Sequence, residues 1–289
     1  MILVLSLGKK PDALGWTGSY NQAYADDGSR KLSPAQTHNL KEHTMSTSLA
    51  RKALIAITSF NGAIYPDGHK TGLFFVEALH PFRVLTAAGF EVDLASETGT
   101  FGFDFNSLQP PFLSGSDKAI YNNPEHPFMV KLNSHLKKAS DLKKGEYGVF
   151  FASAGHAALY DYQTAKGLQA IAADVWDRGG IVGTVCHGPA ILPGIIDSKT
   201  GKSIVHGRTV TGFTIEGELV FNILEKLRQD KVVPVVEAVT AAGGFYSTSM
   251  NAFDDYSVTS GRLVTGTNPE SGRSTAERVV RLFDNDMRP

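Results

Sequence analysis

From about residue 50 the chain alternates between short strand-like runs rich in apolar residues and longer stretches in which apolar residues recur with helical spacing. Ala53-Leu54-Ile55-Ala56-Ile57-Thr58 is of the first kind, the pattern of a strand covered on both faces inside a parallel sheet. Runs of this type recur at residues 91–96, 148–152, 181–185 and 208–212. Helices are predicted between them, over residues 73–88, 127–138, 164–178, 189–196 and 216–228. A hairpin follows at residues 256–266, and a closing helix is predicted over residues 270–283. Strand, helix and strand in alternation call for right-handed crossovers, hence a doubly wound α/β domain with a mostly parallel sheet and helices on both faces.

Two stretches depart from this pattern. Residues 8–48 are rich in Gly, Ser, Asn, Asp, Lys and Thr without an apolar period, which predicts a disordered extension over residues 1–48 ahead of a single domain at 49–289. Met45 stands as a second candidate start. Residues 98–127 are punctuated by Pro and Gly and are too long for an ordinary connection, so a lid over the site is expected there.

Composition narrows the function. The 289 residues carry 28 Lys plus Arg against 29 Asp plus Glu, so no summed field draws the chain to nucleic acid or to an anionic membrane. Met1-Ile2-Leu3-Val4-Leu5 lacks a basic flank, and no window approaches the ~18 apolar residues of a membrane-spanning helix. The expectation is a cytoplasmic protein. With one cysteine, an internal disulfide is impossible, and the thiol is either core filling or a reagent.

Its place argues for a reagent. Cys186 follows the buried run at 181–185 and precedes His187-Gly188-Pro189, so it sits on a sharp turn from strand to helix, the geometry of a nucleophile elbow. The positive end of the following helix is expected to favour thiolate. His187 is placed to polarise the thiol with its ring or to hold an oxyanion with its amide. A third member is expected from 211–218, where Glu216 and Glu218 both compete. Glu77 lies among Leu73, Phe74, Phe75, Val76, Ala78 and Leu79 with no polar face to point from, and burial of its carboxyl would make a general acid/base near neutrality. Gly155 is a candidate oxyanion donor; His156 beside it is either a substrate-binding residue or a hydrogen-bonded turn histidine.

Together, Thr71-Gly72, Val76-Glu77-Ala78-Leu79-His80-Pro81, Ala152-Ser153-Ala154-Gly155-His156, Val185-Cys186-His187-Gly188-Pro189-Ala190 and Asp254-Asp255-Tyr256-Ser257 resemble the fungal glutathione-independent glyoxalase III proteins. These form the heat-shock, chaperone-like branch of the PfpI superfamily, which includes the Parkinson-disease deglycase. The resemblance covers residue 50 onward. It implies a flavodoxin-like sheet of the class I glutamine amidotransferase kind, a triad of Cys186, His187 and Glu218, and an acid/base at Glu77. The reaction implied converts methylglyoxal to D-lactate without glutathione, cofactor or metal, in a homodimer. Phe74 stands where some bacterial relatives carry a metal-binding histidine, so that metal site is not carried over, and the extension before Met45 has no counterpart in the compact fungal members. Other readings of the same cysteine are a holdase chaperone for misfolded proteins with a redox-sensing thiol, a deglycase, or a cysteine peptidase or amidotransferase. The last lacks the later His-x-Glu pair it would need.

Overall fold

The computed structural model describes residues 49–286; the extension expected at residues 1–48 lies outside the described residues. Nine strands are formed: β1 (Lys52–Ile57), β2 (Glu91–Ser96), β3 (Lys137–Lys138), β4 (Val149–Ala152), β5 (Ile181–Val185), β6 (Thr209–Val210), β7 (Phe245–Tyr246), β8 (Ser257–Ser260) and β9 (Leu263–Gly266). The helices are α1 (Phe75–Ala87), α2 (Gly115–Tyr121), α3 (Pro127–Ser134), α4 (Ala158–Asp161), α5 (Lys166–Asp177), α6 (Ile215–Val220), α7 (Leu224–Gln229), α8 (Val235–Ala241) and α9 (Gly272–Asp286).

Seven strands make one sheet in the order β3-β2-β1-β4-β5-β9-β8. All its pairings are parallel except that of β8 with β9. Ala53 to Ile57 of β1 are fully buried, which explains why their apolar residues are consecutive. Each large aliphatic side chain so covered contributes roughly 1.5–3 kcal/mol. Strand order reverses at β1 and β4, and the crevice beyond the carboxyl ends of such strands is where α/β sheets place their chemistry. Helix α9 packs on α1 and β5, and α5 packs on β4 and β5. Among the described residues no helix is long and apolar enough to cross a membrane.

Three sequence expectations change. The run at 208–212 does not join the main sheet: only Thr209 and Val210 are strand, and they pair with β7 in a separate two-stranded sheet. The position beside β5 belongs to β9, whose four residues are all buried, whereas Thr209 is exposed. The helix expected over 216–228 is two helices, broken where Asn222 adopts a left-handed φ of 53°, which Asn tolerates better than most residues. The segment after Cys186 is a seven-residue 3₁₀ helix, Gly188–Gly194, with Pro193 inside it. The 98–127 connection holds a 3₁₀ turn, Asn106–Leu108, as well as α2. From it Phe112 reaches Phe74 edge-on at 5.1 Å, so this segment does form part of the site's wall.

Candidate active site

Cys186 takes a left-handed φ of 58° directly after β5. Two backbone bonds hold it there, its amide donating to Gly266 O (2.9 Å) and its carbonyl accepting from Phe213 N (2.8 Å). Non-glycine residues occupy this region at a cost of about 1–3 kcal/mol, and here the strain folds two neighbouring side chains onto each other. His187 Nδ1 thereby comes within 3.2 Å of Cys186 Sγ, a contact that adjacent residues on a straight strand could not make. Gly188 follows because a Cβ at this position would meet Ala152 O at 2.5 Å.

The other side of the His187 ring reaches Glu218, Nε2 to Oε1 at 3.0 Å. Glu218 lies on α6, whose first turn is capped by Thr214 accepting from Gly217 N (3.0 Å). It is buried, while Glu216 on the same turn is exposed and faces away from the cysteine. Four of the residues singled out by sequence, Cys186, His187, Glu218 and His156, thus form one buried cluster. His156 is drawn in by its Nε2, 3.2 Å from Glu218 Oε2 but off the line of a hydrogen bond. Its ring stands 4.2 Å from that of His187.

Glu77 approaches the thiol from α1. The amide of Phe74 donates to Ala154 O (2.7 Å), locking the start of α1 to the turn after β4. The carboxyl is fully buried and neither oxygen has a partner at hydrogen-bond geometry. Burial pushes Glu77 well above the usual carboxylate range; the nearby Cys186 thiol and Ala154 amide only soften this. Burial likewise pushes the Cys186 thiol up, followed by the effect of Glu77 and then of Glu218, so the thiolate expected from the helix end is not the resting form. Burial, then His156, lowers His187 to about 4. Burial alone would raise Glu218, but His187 and His156 outweigh it and hold the carboxylate at about 2. At neutral pH the pair is a neutral imidazole donating from Nε2 to an ionised Glu218, which leaves Nδ1 free to take the thiol proton.

Above the cluster lies a small recess bordered by Cys186, His187, Gly155 and the rings of Phe74, Phe112 and Phe213. Gly155 adopts a φ of 136° and packs so closely that a Cβ would collide with Gly72 O. In the loop hydrogen bonds around the two turns, neither the Gly155 amide nor the His187 amide donates to a backbone carbonyl, and the His187 amide lies against the Cys186 thiol.

Sequence reasoning missed the support beneath His156. Tyr65 Oη donates to Asp104 Oδ2 (2.7 Å) and lies 2.9 Å from His156 Nδ1; Thr71 Oγ1 also donates to Asp104 (2.8 Å). A carboxylate set between Phe103 and Phe105 is the signal that could have pointed to Asp104.

A flavodoxin-like sheet with a strained cysteine elbow and a His-Glu pair defines a ThiJ/PfpI-type α/β protein. A ThiJ/PfpI domain protein of Brachyspira murdochii, 16% identical with a TM-score of 0.50, shares the fold over 82% of this chain and 98% of its own. No family model matches the chain. Nearer relatives settle its place. Glutathione-independent glyoxalase HSP31 of Saccharomyces cerevisiae is 44% identical over 235 residues, 81% of this chain and 99% of the relative. The crystal structure of glyoxalase III from Candida albicans matches with a TM-score of 0.79 and 46% identity, over 82% of this chain and 98% of that one. The chain belongs to the fungal glutathione-independent glyoxalase family.

Proposed function

We propose that this chain converts methylglyoxal to D-lactate with no added thiol or cofactor, using Cys186 as nucleophile, His187 and Glu218 as its proton relay, and Glu77 as acid and base. The observation that carries this reading is the pairing of a fully buried, proton-holding Glu77 with a thiol that faces His187 Nδ1 at 3.2 Å. A reaction that moves one hydrogen between adjacent carbons needs a group able to give and retake a proton near neutrality.

The steps balance without an oxidant. Sulfur adds to the aldehyde carbon, the thiol proton passes to His187 Nδ1, and Glu77 protonates the new hydroxyl to give a hemithioacetal. Glu77, now a carboxylate, takes the C1 hydrogen as a proton while His187 protonates the C2 oxygen, giving an enediol. Glu77 then returns its proton to C2 and His187 removes the C1 hydroxyl proton, leaving a lactoyl thioester. Water attacks this ester, Glu77 takes the water proton, and His187 returns a proton to the departing sulfur. The amides of Gly155 and His187 border the recess and are suited to hold the developing oxyanion.

Incubation with methylglyoxal in the absence of glutathione and metal tests this. D-lactate is expected from the wild type and not from Cys186→Ser or Glu77→Gln. A folded, reduced wild type that makes none would sink the reading. The redox-sensor alternative is weakened by the burial of the thiol, at 3% exposure, since sensor cysteines are accessible. Exposed Leu219, Val220 and Met250 offer apolar surface for the homodimer or for a holdase role on misfolded proteins. Sedimentation showing a monomer would remove the first, and aggregation suppression that survives Cys186→Ser would keep the second separate from catalysis.

A further inference from the structure

The hydrogen-bond partners of His156 fix where its protons lie. The single hydroxyl proton of Tyr65 goes to Asp104 Oδ2 at 2.7 Å, so the 2.9 Å contact with His156 is filled by an Nδ1–H donating to Tyr65. In the neutral ring His156 Nε2 is then a bare lone pair 3.2 Å from Glu218 Oε2, another acceptor, and the lowering of Glu218 by His156 is the effect of a proton in that same gap. Neither atom has a hydrogen-bond partner, and both belong to side chains at most 4% exposed. Two buried acceptors aimed at one another define a place for an electrophile. His187 Nε2 is 3.0 Å from the same carboxylate, and ligand atoms from all three residues lie within 4.8 Å of one another.

We propose that His156 Nε2, His187 Nε2 and the Glu218 carboxylate form a binding site for Zn2+, and that zinc bound there is an inhibitor of this enzyme. Zinc takes nitrogen and carboxylate oxygen at about 2.0–2.2 Å, which in a tetrahedron places donors about 3.3 Å apart. His156 Nε2 lies 3.2 Å from Glu218 Oε2 and His187 Nε2 lies 3.0 Å from Glu218 Oε1, so each nitrogen already has its own carboxylate oxygen at nearly that spacing. The histidines also carry the outer partners that zinc-binding histidines use. His156 is oriented through Tyr65 by Asp104, and His187, once its ring proton moves from Nε2 to Nδ1, donates to the Cys186 sulfur. A water in the recess bordered by both histidines completes the fourth position. Cys186 Sγ lies on the Nδ1 side of His187 and takes no part in coordination.

Inhibition follows because zinc occupies Glu218 and fills Nδ1 of His187 with the displaced proton, so the ring can no longer accept the proton of the thiol. This consequence rests on the proposed role of His187; the binding itself does not. The experiment titrates tag-free, reduced full-length protein with Co2+, followed by Zn2+ in competition, and measures D-lactate formation on the same samples. One Co2+ per chain is expected, with tetrahedral d–d bands, without a thiolate-to-cobalt charge-transfer band, and retained in Cys186→Ser. Affinity should fall at least ten-fold in His156→Asn and, as a check independent of that variant's folding, about 10–100-fold in Tyr65→Phe. Turnover should fall in step with zinc occupancy and return with a chelator. Absence of binding, a thiolate band, or unchanged affinity in both variants overturns the site. Full occupancy with intact turnover overturns the inhibition. A metal-free protein that makes no lactate yet binds cobalt as described would count against the glyoxalase reading and leave the site standing.

Discussion

Two glutamates flank the thiol, and their surroundings drive them in opposite directions. Glu77 is enclosed by apolar residues of α1, has no partner at hydrogen-bond geometry, and is held well above the usual carboxylate range by burial. Glu218 is just as buried, yet His187 on one oxygen and His156 near the other bring it down to about 2. One carboxyl is driven toward holding its proton and the other toward holding its charge, so the pair supplies an acid and a fixed anion from one residue type. Desolvation is the first contribution at both sites, and nearby histidines alone reverse its sign.

Removing that difference at Glu77 should have the largest effect. Glu77→Gln preserves shape but can neither give nor take a proton, and kcat/KM is expected to fall by roughly 10²–10⁴ with KM little changed. A fall confined to KM would mean that Glu77 binds substrate without moving protons. At Glu218 the stronger effect is on the fold. Glu218→Ala leaves His187 and His156 without their shared anion and should cost about 3–5 kcal/mol in urea unfolding, as expected for breaking a buried pair. A loss under about 1 kcal/mol would show that the pair is not desolvated as the burial indicates.

pH separates the two carboxyls further. Glu218 falls from 4.5 to about 2 on folding and His187 from 6.5 to about 4. Both therefore bind protons less readily folded than unfolded, so their stabilisation is complete at neutral pH. It is lost as pH drops through 6.5 to 4 for His187 and through 4.5 to 2 for Glu218. Glu77 runs the other way: its folded value lies above 4.5, so its contribution is present below 4.5 and is lost as pH rises. Glu77→Gln should accordingly gain stability relative to wild type over the range in which pH rises above 4.5. A gap that stays flat across that range would place Glu77 in contact with water or a cation.

Much of this was legible in the sequence, and for identifiable reasons. Consecutive apolar positions gave away β1, β4 and β5 because parallel strands are covered on both faces, and β2 showed through Val92, Leu94 and Ala95. The anomaly of Glu77 stood out because a carboxylate interrupted an apolar helix. The neighbours of β5 did not stand out, since 208–212 and 263–266 are alike in composition and only tertiary packing places β9 in the sheet. Glu218 and Glu216 could not be separated by spacing, because the turn of α6 that buries one and exposes the other depends on where Thr214 caps it. Tyr65 and Asp104 were invisible for a similar reason, lying in irregular segments brought together only by the fold.

The junction between the two halves of the site gives the smallest effect, and it tests whether their separation is held rigidly. Gly155 carries the turn that leads to His156, and its open Cα face packs on Gly72 O, just before the start of the helix that bears Glu77. Gly155→Ala places a methyl group against that carbonyl at a φ of 136°, which side chains rarely adopt. A loss of about 1–3 kcal/mol in unfolding free energy is expected from the strained backbone. The strain pushes α1 away from the turn, so kcat should fall more than KM rises, because Glu77 then sits out of register with the thiol. Equal kcat/KM in Glu77→Gln and in Gly155→Ala combined with Glu77→Gln would show that the methyl acts on turnover only through Glu77; additive losses would show that the two halves move independently.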